Sequence, residues 1–130
     1  MSDEILDVLK DLKSKYGEIS ACIVAKRGLE GVVMFPESFK QDVAGLWEPL
    51  EGAIDEILIL ISEKSMYNLD RVYLEMLGYG IFFVVLASSD TALIIFVECR
   101  GERDVMGFLA KHYDDFCSVR DNILKIIEKN

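Results

Sequence analysis

Residues 71–77 alternate strictly, with Val72, Leu74 and Met76 apolar against Arg71, Tyr73 and Glu75. A period of two with charge on one side predicts an edge or half-exposed strand. The next two apolar runs, 81–87 and 91–97, do not alternate, which is the pattern of central strands covered on both faces. Ser88-Ser89-Asp90 stands between them as a turn. Upstream, two further apolar runs, 19–25 and 31–35, flank Arg27-Gly28-Leu29-Glu30. Gly28 and Gly31 supply positive φ at low steric cost, so this stretch reads as a β-hairpin.

Three stretches follow the helical period instead. In 2–16, Ile5, Leu9, Leu12 and Tyr16 step by four and three. Ser2 suits the N-cap, acids fill the first turn, and Gly17 lies just past the end. In 38–63, Ser38 and Gln41 form the S-x-x-Q capping box. The stripe there is Val43, Trp47, Leu50, Ile54, Ile57 and Ile61, with a second row of Phe39, Leu46, Ala53 and Leu60. That apolar arc is wider than one sheet face requires, so the helix is expected to be covered on two sides. Pro49 interrupts it, because an interior proline clashes with the carbonyl four residues back. Two outcomes are open: a kinked helix over 38–63, or a short helix followed by a main one beginning near Pro49. The last stretch, 104–128, is a long amphipathic helix striped by Val105, Leu109, His112, Phe116, Val119, Ile123 and Ile126.

The element order is α-β-β-α-β-β-β-α. Strands one and two pair as a hairpin, and strands three to five form a meander. The fold class is α+β: one five-stranded antiparallel sheet flanked by helices, in a single domain over 1–130. A chain of 130 residues buries about two thirds of its unfolded surface, enough for a core without staples.

Charge removes several function classes. Lys and Arg number 14 against 23 Asp and Glu, a net −9. Nucleic acid and anionic membrane surfaces both require clustered cations, so neither is an expected partner. Nine acids and three bases fall within 37–75, which fits a solvated helix face or a docking surface for a basic partner. Cys22, Cys99 and Cys117 are an odd count with no C-x-x-C, as in a protein of a reducing compartment. No basic-then-apolar leader opens the chain. An aspartate in the run 81–97 would cost about 2.5–3.5 kcal/mol at mid-bilayer. A cytoplasmic location is expected.

Candidate chemistry is sparse. His112 is the one histidine and falls in an apolar stripe, so it reads as a core residue; a metal site would need more ligands than distant Cys99 and Cys117. No local signature supports a cysteine–histidine nucleophile pair. Gly78-Tyr79-Gly80 lacks the helix N-terminus that a phosphate loop needs and reads as a turn. Glu48, Glu51 and Asp55 line one side of the middle helix and keep it wet. Trp47 fills the core or anchors a subunit interface. No catalytic residue, cofactor or metal is expected.

The stretches ISACIVAKRGLEGVVMF, LEGAIDEILILISE and RVYLEMLGYGIFFVVLASSDTALIIFV, in this order, resemble the roadblock / dynein light chain family, in its prokaryotic form. Gly28-Leu29 stands where members carry Gly-Leu before strand two. Pro49 and the long final helix depart from the family pattern. The resemblance implies a non-catalytic homodimer, or a pairing with a related subunit, that scaffolds or regulates a small Ras-like GTPase. Its implied dimer interface comprises Val43, Trp47, Leu50, Ile54 and Ile57 on the middle helix, with Arg71, Tyr73 and Glu75 on the third strand. No arginine is singled out as an arginine finger. Two alternatives share the layout. One is a PAS- or GAF-like small-ligand sensor drawing on Cys22, Tyr73 or Phe82; the other is a longin-like adaptor.

Overall fold

The computed structural model describes residues 2–29, 31–86 and 90–129. Its elements are α1 (Ser2–Lys15), β1 (Ile19–Lys26), β2 (Val33–Phe35), α2 (Phe39–Asp42), α3 (Trp47–Glu63), β3 (Arg71–Met76), β4 (Tyr79–Val85), β5 (Thr91–Glu98), α4 (Val105–Lys111) and α5 (Tyr113–Lys129). Short 3-10 turns, Ala44–Leu46 and Ser65–Tyr67, bracket α3. The strands form one antiparallel sheet in the order β2-β1-β5-β4-β3. The expected α+β class and five-stranded sheet are therefore the observed ones. β1, β5 and β4 occupy the middle, which is why their side chains are buried on both faces.

Strand alternation divides the core into two layers. Cys22, Val24, Phe82, Val84, Leu93, Ile95 and Val97 pack against α1, α4 and α5. Ala21, Ile23, Ile81, Phe83, Val85, Ile94 and Phe96 face α2 and α3. Removing such side chains from water contributes about 1.5–3 kcal/mol each. The predicted pattern of β3 also holds: Val72, Leu74 and Met76 join the α3 layer, while Tyr73 joins the opposite one.

Several local expectations are corrected. Ser2 is the first helical residue of α1 rather than its cap. β2 begins at Val33, two residues later than predicted, because Gly31 (φ 62°) still belongs to the turn. Glu30 of that turn lies outside the described residues, as do Ala87 at the predicted end of strand four and Ser88-Ser89 of the next turn. Ser38 does not cap: its backbone is already helical (φ −72°, ψ −6°) and its side chain makes no cap hydrogen bond. An N-cap residue normally has extended backbone, which lets its oxygen reach back to the first free N–H groups.

The middle segment takes the split form, with the break before Pro49 rather than at it. Ala44 has φ 47°, a left-handed conformation that ends α2 and the Phe39 turn. The main helix restarts at Trp47, which leaves Pro49 in its first turn, where backbone N–H groups have no intrahelical acceptor. The last helix is divided too. His112 (φ −108°, ψ 14°) separates α4 from α5. Finally, the β3–β4 turn is Leu77-Gly78, both with positive φ (53° and 83°), so Tyr79 and Gly80 belong to β4 rather than to a Gly-Tyr-Gly turn.

Candidate interaction surface

The two sheet edges differ. β2 is three residues long and lies beside α1, a short edge of the kind that resists further pairing. β3 is six residues long and, among the described residues, pairs only with β4. Its free side follows from one hydrogen bond. Val85 N donates to Asp70 O at 2.9 Å, so the backbone groups of the even-numbered residues point at β4. In an antiparallel ladder this alternates, and the N–H and C=O groups of Arg71, Tyr73 and Glu75 therefore point outward.

Beside this edge lies one flank of α3. The helix buries Leu50, Ile54, Leu58 and Ile61 against the sheet. Its acidic side is fixed by Asp55, whose Oδ1 accepts from Gly28 N in the β1–β2 turn at 3.1 Å. Glu48 and Glu51 share that side, towards β1 and β2. The opposite flank, towards β3, carries Ala53, Ile57 and Leu60 at i, i+4 and i+7, with Leu46 just before the helix. Leu46 is 40 % exposed and Leu60 39 % exposed. An apolar helix flank next to an unpaired strand edge presents both side-chain and backbone groups that a partner could cover.

The structure distributes the eight expected interface residues unequally. Val43 (5 % exposed), Leu50 (0 %) and Ile54 (2 %) are within the chain's own core. Their stripe is the one the helix turns to the sheet, so no docked partner reaches them without a rearrangement. Trp47 and Ile57 are half-buried at the margin of that layer. The Trp47 ring meets Phe39 edge-on at 6.4 Å, and Lys40 Nζ lies 5.3 Å from its centroid. Arg71 and Glu75 are exposed and Tyr73 half-buried along the free edge. Leu46 and Leu60 were visible as a second row in the sequence but not as the outward one. Leu58, fully buried, belonged to neither row.

On the other face of β3 a cleft of about 420 Å³ opens between the strand edge and α4, lined by Arg71, Tyr73, Phe82, Met106, Leu109 and Tyr113, among others. The Arg71 guanidinium lies 4.6 Å from the Tyr113 ring centroid. Tyr73 Oη donates to Glu75 Oε1 at 2.6 Å. Burial, and then that carboxylate, push the Tyr73 phenol above its ordinary value. Of the residues considered for a ligand pocket, Tyr73 and Phe82 line this cleft. Cys22 does not; it sits in the core, where burial pushes its thiol up to about 12.

His112 packs between the Tyr16 and Phe108 rings, at 4.6 and 5.1 Å. Among the described residues no group of three His, Cys, Asp or Glu side chains could hold a metal ion. No helix among them is long and apolar enough to cross a membrane.

Fold and surface together describe an α+β sandwich with one open sheet edge and an apolar helix flank beside it. Among solved structures this architecture is similar to Myxococcus xanthus MglB, with a TM-score of 0.64 over 98 % of this chain and 90 % of that one. Identity is 11 %, so the likeness is one of fold. No family model matches the sequence, and no curated protein matches it.

Proposed function

We propose that this chain is a non-catalytic, homodimeric interaction module that scaffolds or regulates a small Ras-like GTPase in the cytoplasm. The observation that carries the reading is the free β3 edge with the apolar flank of α3 beside it. The resemblance of the sequence to the roadblock / dynein light chain family supports it, and the fold shared with MglB agrees with that resemblance. The interface is revised from the sequence-based set. It comprises Leu46, Ala53, Ile57 and Leu60 with Trp47 at the margin, plus Arg71, Tyr73 and Glu75 along the strand, and it omits Val43, Leu50 and Ile54. The GTPase role is tested by mixing the purified protein with Ras-like GTPases of its own organism, loaded with GDP or a non-hydrolysable GTP analogue. A stable complex or a changed hydrolysis rate is expected with at least one of them; no complex and no rate change with any contradicts the reading.

The cleft under Arg71 and Tyr113 favours one second reading, a small-ligand sensor. Thermal denaturation against nucleotides and metabolites separates the two, because a ligand at 100 times its dissociation constant adds about 2.7 kcal/mol. The interaction-module reading predicts no such shift.

A further inference from the structure

We infer that the cleft between β3 and α4 binds a small aromatic monocarboxylate, with its carboxylate on Arg71 and its ring over Phe82. This ligand class rests on the sensor reading of the cleft and not on the homodimer. The cleft volume, about 420 Å³, falls within the roughly 300–1,000 Å³ of ordinary ligand sites. Arg71 is the one charged residue among those that line it. Its guanidinium is held against the Tyr113 ring, and among the described residues no carboxylate pairs with it. A guanidinium placed on a ring keeps its N–H donors free, and that planar fork matches a carboxylate in bidentate fashion.

The remaining walls select the body of the ligand. Tyr73 and Phe82 are cross-strand partners, and the Phe82 and Tyr113 rings meet edge to face at 5.9 Å. Three rings therefore border one apolar space, where a further flat ring gains edge-to-face or offset contacts that a saturated body does not. Met106, 62 % exposed in the first turn of α4, carries a flexible thioether that can fold over such a ring. Charge fixes the orientation. The Tyr73 phenol gives its proton to Glu75 Oε1, and the Asp104 carboxylate acts on the same phenol. That end of the cleft thus offers no donor and repels an anion. Arg71 stands two residues away on the same face of the strand, about 7 Å along it. One carboxylate is favoured there, whereas a phosphate dianion finds no second cation among the lining residues.

The experiment is calorimetric titration of the purified protein with phenylacetate, its neutral amide phenylacetamide, and cyclohexylacetate. Phenylacetate is expected to bind about ten-fold more tightly than the amide, because a charge-assisted pair replaces a neutral hydrogen bond. It should bind about three-fold more tightly than the saturated ring. Arg71→Gln should remove the preference for the carboxylate, weakening phenylacetate about ten-fold and leaving the amide within about three-fold. Any effect of that substitution on self-association falls on both ligands alike and cannot imitate the lost preference. Ala110 is exposed on the cleft wall, so Ala110→Trp should fill the cleft and abolish binding of all three, with unchanged circular dichroism. Equal binding of acid and amide, or a preference that survives Arg71→Gln, overturns the carboxylate assignment while the sensor reading stands. Cyclohexylacetate binding as tightly as phenylacetate overturns the aromatic assignment in the same way. Phenylacetate binding that a folded Ala110→Trp leaves intact puts the site elsewhere and overturns both the ligand and the cleft. No binding of any of the three overturns the ligand class; the sensor reading falls with it only when nucleotides and metabolites also leave thermal stability unmoved.

Discussion

Gly80 in β4 lies close against the first turn of α4. A Cβ there would lie 2.6 Å from Val105 Cγ1 and 2.7 Å from Tyr73 Oη. Gly80→Ala must therefore displace both the Val105 side chain, in the first turn of α4, and the hydroxyl end of the tyrosine that lines the cleft. It is expected to cost about 1–3 kcal/mol, read from the urea midpoint; an unchanged midpoint contradicts so close an approach. Cys22 makes a prediction in pH. Its folded thiol is raised from 9.0 to about 12 by burial, so the fold favours the protonated form. That contribution is complete below about pH 9 and is lost progressively as pH rises towards about 12. Cys22→Ala, although less stable at neutral pH, should lose less further stability between pH 8.5 and 11.5 than wild type. Denaturant midpoints across that range test it, and parallel curves contradict it. None of this residue-scale detail was open to sequence reasoning. Gly80 could be seen in the sequence, but not its neighbours, and Ala44 and Leu77 take positive φ without the glycine that would signal it.

The helices and strands were more legible, because each repeats its signal. The alternation of 71–77 identified an edge strand, and unbroken apolar runs identified the central ones. The middle helix was legible as apolar but not as oriented. Rows of residues give a helix's stripes without saying which stripe meets the sheet, so Val43, Leu50 and Ile54 were assigned outward when they face in. The break at His112 was invisible for a related reason: the stripe continues across it, with Phe108, His112 and Phe116 all gathered around Tyr16. Orientation makes a paired prediction. Leu58→Ala empties a fully buried site and should cost about 2–5 kcal/mol without changing the subunit count. Leu60→Glu, two residues along, should change stability of the isolated chain by no more than about 0.5 kcal/mol yet weaken self-association. If Leu60→Glu unfolds the protein, α3 does not turn that flank outward. Trp47→Glu is a poorer probe, since Trp47 also covers Phe39.

At the scale of the whole molecule the design is asymmetric. One sheet edge is short and lies beside α1; the other is long, hydrogen-bond-ready and bordered by apolar side chains. The acidic surface does not cover that border, because Asp55 anchors the carboxylate side of α3 to the β1–β2 turn on the opposite flank. Such an edge left bare is a template for pairing with any extended chain. The most direct test is solution mass by light scattering on a sizing column, for wild type and Leu60→Glu. Wild type is expected at twice the 14.7 kDa chain and the variant shifted towards the single chain, with both retaining the same circular dichroism. A wild type that elutes at the mass of one chain at every concentration would contradict a self-pairing β3 edge.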